Sequence, residues 1–100
     1  MPAYLKILDG VRVPSVVIIA AAAINAKTML MLQTNVTITS GNDSKHKEGS
    51  LHYQDRALDF RTHDMPPNHI RLWAEEMRKR LGPQYDVIVE HDHIHVEHNL

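Results

Sequence analysis

The residues best suited to chemistry in this chain are its histidines and the acidic residues that accompany them. The 100 residues include eight histidines and no cysteine, and the histidines at positions 91, 93, 95 and 98 lie close to the C-terminal end. Because no thiolate is present, a metal site must be built from imidazole and carboxylate ligands, which suit Zn²⁺. The composition therefore favours a histidine–carboxylate metal site.

Two segments provide such ligands. His52 and Asp59 are seven residues apart, so a loop that folds back onto a following strand can bring both side chains to one ion. The second segment runs from Glu90 to Glu97. Alternate side chains of a strand share a face, so His93 and His95 are expected to point the same way, with His91 at the same parity.

Structural interpretations compete with this one. Asp59 can pair with Arg56 or Arg61 instead of a metal, and Asp92 suits a turn between two strands. Ser50 invites a serine–histidine–aspartate triad, but no G-x-S-x-G turn surrounds it. Trp73 has helical spacing with apolar neighbours and is predicted to be a core residue first.

The elements that must position these side chains can be predicted from apolar periodicity and from turn residues. Pro14 suits the first turn of a buried helix, and Gly82-Pro83 ends a second one. The pattern predicts one α+β domain over residues 1–100, with a small antiparallel sheet packed against helices. The predicted helices are Ser15–Gln33 and Asn68–Leu81, the predicted strands are Asn35–Thr39, Arg56–Thr62, Tyr85–Val89 and His93–Glu97, and Ser40–Gly49 is predicted to be a polar loop.

The charge pattern and the apolar segments exclude several functional classes. The formal net charge is −1, and no basic stripe is present, so binding to nucleic acid through phosphate contacts is not expected. The apolar run Val16–Ile24 is too short to span a membrane, which needs about 20 residues. No secretory signal pattern is present, so we expect the protein to be made in the cytoplasm. The sequence leaves the oligomeric state open.

A family resemblance rests on two motifs. Ser50, His52, Ala57 and Asp59 form the pattern SxHxxxxAxD, and an HxH strand follows near the end of the chain. This pair of motifs resembles the D-alanyl-D-alanine carboxypeptidase family of zinc peptidases, which includes L-alanyl-D-glutamate endopeptidases and shares its fold with hedgehog signalling domains. The resemblance covers roughly residues 37–97. Asp55 stands where the family often has glycine, and the arginine common before the first motif is missing.

The resemblance implies roles for individual residues. It places one zinc ion on His52, Asp59 and His95, and a catalytic acid/base at Asp92, three residues before the last ligand. His93 takes a position that helps to hold substrate or the developing oxyanion in some members. An alternative register pairs Glu90 with His93 at the same spacing.

Further residues in the loop before the first ligand complete the implied site. Ser50, His46 and Lys45 are candidates for substrate binding, and Lys45, His46 or Lys47 could replace the missing arginine near an oxyanion. The implied function is hydrolysis of peptidoglycan stem peptides by a zinc-activated water, at the cell wall after release, as in a phage lysin. The alternatives are a non-catalytic zinc-binding interaction module on the same fold and a histidine tail that binds nickel or copper nonspecifically.

Overall fold

The computed structural model describes residues 13–32, 35–40 and 56–99. Within these ranges it confirms a small α+β domain with an antiparallel sheet and two helices. In chain order the elements are α1 (Ser15–Met29), β1 (Ile38–Ser40), β2 (Ala57–Arg61), α2 (Pro67–Leu81), β3 (Tyr85–Val89) and β4 (His93–His98).

The sheet has the strand order β1-β2-β4-β3, and every neighbouring pair is antiparallel. The last two strands form a hairpin that bends at residues 91 and 92, as the alternation of apolar and polar residues predicts. β2 joins β4 from a distant part of the chain and pairs Asp59 with His95. Two segments about 36 positions apart are thereby aligned side by side.

The local sequence explains the limits of α2. Pro66 precedes the helix and Pro67 opens it, where a missing N–H costs nothing. Gly82 follows the last helical residue with φ 86°, a conformation that favours glycine, and its N–H bonds to the carbonyl of Arg78. The helix thus begins one residue before the predicted start and ends at the predicted residue.

Both helices pack on one face of the sheet and form a single core with it. The core contains Ile19, Ala23 and Ala26 of α1, Trp73, Ala74 and Met77 of α2, and Leu58, Phe60, Val87, Ile94 and Val96 of the sheet. Trp73 is fully buried, as predicted, and its indole N–H donates to the carbonyl of Ala23 at 3.0 Å. This bond ties α2 to α1 at the centre of the core.

Lys27 is a buried cation at the edge of this core. It is only 3% exposed, and its ammonium lies 4.2 Å from the centroid of the Trp73 ring. The ammonium also donates to the carbonyl of Asn35 at 2.8 Å. Burial lowers the pKa of Lys27, and the charge of Asp64 opposes that shift. The contact with Asn35 connects the end of α1 to the segment that leads into β1.

Further boundaries differ from those predicted, and β2 is one residue shorter at each end, covering Ala57–Arg61 instead of Arg56–Thr62. Helix α1 ends at Met29 instead of Gln33, because the chain turns at Leu30 and Met31 adopts a positive φ of 57°. Strand β1 is limited to Ile38–Ser40, where a bulge interrupts its pairing with β2. β4 continues one residue further, to His98. Among the described residues, no helix is both long and apolar enough to cross a membrane.

Candidate functional site

Three of the predicted site residues, Asp59, His93 and His95, lie on the sheet face that neither α1 nor α2 covers. Alternation along β4 puts Ile94 and Val96 into the core and places His93, His95 and Glu97 on the other side. We call this side the histidine face. The buried apolar pair therefore determines where the three polar side chains point.

Asp59 and His95 meet on the histidine face. They are directly opposite each other in the β2–β4 ladder, and His95 Nδ1 lies 2.7 Å from Asp59 Oδ1. Their side chains are 15% and 21% exposed, so the contact is partly shielded from water. The structure therefore brings together two of the three predicted zinc ligands, which come from separate motifs.

The second ring nitrogen of His95 also faces a carboxylate. Nε2 lies 2.9 Å from Glu97 Oε1, two residues along the same strand. The hydrogen bond to Asp59 raises the pKa of His95, burial opposes this shift, and the bond to Glu97 adds to it. With an acceptor at each nitrogen, the doubly protonated imidazolium is favoured in the metal-free protein.

His93 and Asp92 form a second acid–imidazole pair beside the first. His93 Nδ1 lies 2.6 Å from Asp92 Oδ1, and His93 Nε2 lies 4.0 Å from Asp59 Oδ1. The hydrogen bond from His93 lowers the pKa of Asp92, which is an exposed carboxylate on the turn. Carboxylates and imidazoles thus alternate across the histidine face from Glu97 to Asp92, in the spatial order Glu97, His95, Asp59, His93, Asp92.

Several predicted site residues lie outside the described residues: Lys45, His46, Ser50 and His52. Glu90, the alternative acid/base, is exposed just after β3, and its N–H bonds to the carbonyl of His93. Within residues 13–32, 35–40 and 56–99, no three histidine or acidic side chains are arranged to hold a metal ion. The predicted three-ligand set remains a prediction, with two of its members in contact.

Sequence reasoning overlooked two residues of this face. Glu97 is only the last residue of the predicted ligand segment Glu90–Glu97 and is assigned no role there, although its two-residue separation from His95 places both on one side of a strand. Arg61 was considered only as an ion-pair partner of Asp59. Its guanidinium instead contacts the ring of His63, with Nε 2.8 Å from His63 Nδ1, and it faces His93 across the ladder. Arg61 brings a cation to the histidine face.

A histidine one residue beyond the predicted strand His93–Glu97 is expected to face solvent, but the His98 side chain is partly buried. Because β4 extends to residue 98, the side chain falls on the helix side of the sheet, where Nδ1 lies 2.7 Å from Ser15 Oγ at the start of α1. The ring stacks on Tyr85 with centroids 4.2 Å apart. Burial and the nearby charge of Arg56 lower the pKa of His98. His98 therefore connects the sheet to α1 and does not belong to the histidine face.

Comparison of the chain with protein-family models, with curated proteins and with solved structures gives no match.

Proposed function

We propose that this protein is a zinc-dependent peptidase that cleaves peptide bonds of peptidoglycan stem peptides at the cell wall, on a fold like that of the hedgehog and D,D-peptidase domains. The main support is the contact of Asp59 with His95, at 2.7 Å on the histidine face. The ligand motifs of the zinc peptidase family predict that this aspartate and this histidine share one ion. His52 is the proposed third ligand.

The donor atoms fit zinc after a small adjustment. Ligands of a tetrahedral zinc ion, at about 2.0–2.1 Å from the metal, lie about 3.3 Å from one another. The two donor atoms of Asp59 and His95 are 2.7 Å apart and share a proton. Asp59 and His95, with His52, would hold zinc after loss of the proton between their donor atoms, which would have to move slightly apart. His95 Nε2–H continues to donate a hydrogen bond to Glu97, which orients the ring as carboxylates do behind zinc-binding histidines.

A bound zinc ion supplies a Lewis acid and a water molecule of lowered pKa. The chain itself supplies the proton transfers. The pKa of Asp92 is lowered, and its carboxylate accepts a hydrogen bond from His93 Nδ1–H, so that His93 Nε2 is left to take a proton from the nucleophile and return it to the leaving amine. In this arrangement His93 is the acid/base and Asp92 orients it, whereas the family resemblance implied Asp92 as the acid/base and His93 as a residue that holds substrate or the oxyanion. Arg61, across the ladder from His93, is placed to favour negative charge on a substrate.

Metal analysis combined with hydrolysis assays tests the proposal. Metal-free protein is titrated with zinc and then incubated with purified sacculi and with defined stem peptides, and new amine termini are counted. We expect one zinc per chain and release of peptide termini. The variants Asp59→Asn and His95→Ala are expected to lose both zinc binding and hydrolysis. The variants Asp92→Asn and His93→Gln are expected to bind zinc but to lose hydrolysis.

A matched control comes from the same hairpin. The His91 side chain is 91% exposed, and its Nε2 lies 3.7 Å from Asp92 Oδ2, which is longer than a hydrogen bond, so His91→Ala should keep both metal and activity. Absence of zinc binding would overturn the proposal as a whole. Tight zinc binding with no hydrolysis of any peptide would replace it with a non-catalytic zinc module.

A further inference from the structure

Strand β3 lies at one edge of the sheet that the described strands form. Among the described strands, β3 pairs only with β4. At the two ends of this pair, the Glu90 N–H bonds to the His93 carbonyl and the Asn99 N–H bonds to the Gln84 carbonyl, so the even-numbered residues of β3 direct their backbone groups toward β4. In an antiparallel pair, successive residues direct their backbone groups alternately toward and away from the partner strand, so the N–H and C=O groups of Val87 point away from β4. Those of Tyr85 and Val89 share this direction.

Part of this edge is already occupied. The Tyr85 N–H bonds to the carbonyl of Gly82, and the Val87 carbonyl accepts hydrogen bonds from Arg78 Nε and Nη2 at 3.2 and 2.7 Å. Within the described part of the chain, the Val87 N–H and both backbone groups of Val89 have no such partner. These groups can pair with a further strand.

An apolar groove runs beside this edge, between β3 and α2. Its volume is about 280 Å³, and its lining consists of Pro67, Ile70, Arg71, Ala74, Arg78 and Val89. From Pro67 to Arg78 the helix rises about 16 Å, the length of about five residues of extended chain. Val89 is 46% exposed although it lies on the core side of the sheet, so the groove leaves apolar surface uncovered.

Two cations line the groove. Arg71 and Arg78 form no ion pair within residues 13–32, 35–40 and 56–99, whereas Arg80 on the same helix pairs with Glu76 at 3.1 Å. Arg78 uses Nε and Nη2 on Val87 and keeps further N–H donors for a ligand. An apolar groove lined by two arginines that have no ion-pair partner among the described residues is complementary to an apolar segment that carries a carboxylate.

We propose that this groove binds an extended apolar peptide with a carboxylate, which adds to β3 as a further antiparallel or parallel strand. Its backbone pairs with the Val87 N–H and with both backbone groups of Val89, alternate side chains enter the groove, and the carboxylate meets Arg71 and Arg78. The groove lies on the helix side of the sheet, so this site is separate from the histidine face and does not depend on the proposed peptidase activity.

A second copy of the chain fits the groove less well than a peptide. Edge-to-edge pairing of two β3 strands about a two-fold axis would place the arginines of one α2 beside those of the other. Like charges at such a contact disfavour association. A carboxylate-bearing peptide instead neutralises them.

Titration of isotope-labelled, full-length protein with synthetic peptides tests the proposal. The probes are N-acetylated hexapeptides of alternating threonine and valine, isoleucine, leucine or phenylalanine, each with a free C-terminal carboxylate. We expect at least one probe to bind and to shift the backbone amides of Val87 and Val89 most. The C-terminal amide of the same peptide and the Arg71→Gln variant should each bind about fivefold more weakly.

Two controls separate strand addition from general attraction. Arg80→Gln removes the same charge from α2 outside the groove and should leave the affinity unchanged. A probe that is N-methylated at alternate residues cannot complete the ladder and should not bind. The proposal would be overturned if no probe bound, or if the N-methylated probe bound as well as the unmodified one. It would also be overturned if the chemical shift changes were centred on His93 and His95, or if the protein formed a dimer without peptide that protected the Val87 and Val89 amides.

Discussion

Replacement of Glu97 by glutamine should weaken the binding of zinc and lower the pKa of His95. Glu97 Oε1 lies 2.9 Å from His95 Nε2, and Glu97 is not one of the proposed metal ligands. Glutamine has nearly the same shape and keeps an acceptor oxygen, but it removes the negative charge. The substitution therefore tests the electrostatic contribution of this contact with little change in packing.

The burial of the contact sets the size of the effect. The two side chains are 21% and 23% exposed, so solvent screens the interaction only in part. A hydrogen bond to a charged group stabilises by about 1.5–3 kcal/mol, and the partial exposure argues for the lower end of that range. Loss of about 1.4 kcal/mol corresponds to a tenfold weaker zinc affinity, which agrees with the tenfold to hundredfold losses seen when partners of zinc-binding histidines are removed.

Two measurements check this expectation. The pKa of His95 is followed by NMR in the metal-free protein, and zinc affinity is measured by competition with a chromogenic chelator. Glu90→Gln is the matched control, because Glu90 is an exposed carboxylate in the same hairpin whose removal should change neither quantity. If Glu97→Gln left both the pKa of His95 and the zinc affinity unchanged, Nε2 would not be held by Glu97 in solution.

Three further predictions concern pH, packing and metal. Asp59 raises the pKa of His95, so this pair stabilises the metal-free fold fully below about pH 6.5 and loses that contribution as pH rises through the folded-state pKa. Asp59→Asn should reduce this pH dependence in urea unfolding curves, with the part due to Glu97 remaining, and an unaltered pH dependence would contradict the prediction. Trp73→Phe removes the hydrogen bond to the carbonyl of Ala23 and leaves a cavity, so it should lower the free energy of unfolding by about 2–3 kcal/mol. As a control, Leu72→Ala changes a position that is 39% exposed and should lower the free energy of unfolding by less than about 1 kcal/mol. Equal decreases for the two variants would refute the prediction. Zinc at about 100 times its dissociation constant should raise the melting temperature by roughly 10–20 °C; a melting curve unchanged by excess chelator would argue against a ligand set that joins distant segments.

Local sequence signals predicted the parts of the fold that depend on local interactions. The hairpin of β3 and β4 follows from strict alternation, with Ile94 and Val96 inside, and α2 is delimited by proline at its start and by Gly82 at its end. The proximity of Asp59 and His95 was expected from family motifs. The direct reason for it is the antiparallel β2–β4 register, which periodicity alone does not specify.

The remaining features depend on tertiary contacts that no local pattern reveals. The burial of Lys27 arises because the Trp73 ring and the carbonyl of Asn35 surround its ammonium. His98 turns inward because β4 gains one more residue, whose N–H bonds to the carbonyl of Arg56. A shift of one position in a strand boundary is enough to move a histidine from the predicted solvent side to the core side.

Packing, more than the polar contacts, positions the histidine face. Burial of Ile94 and Val96 stabilises the fold by about 1.5–3 kcal/mol for each side chain, whereas a partly exposed carboxylate–imidazole contact contributes about 1 kcal/mol. A register slip of one residue would expose both apolar side chains and bury His95, at a cost that the polar contacts cannot offset. The alternation of β4 therefore links stability to function, because the residues that hold the sheet against the helices also present His93 and His95 on its other side.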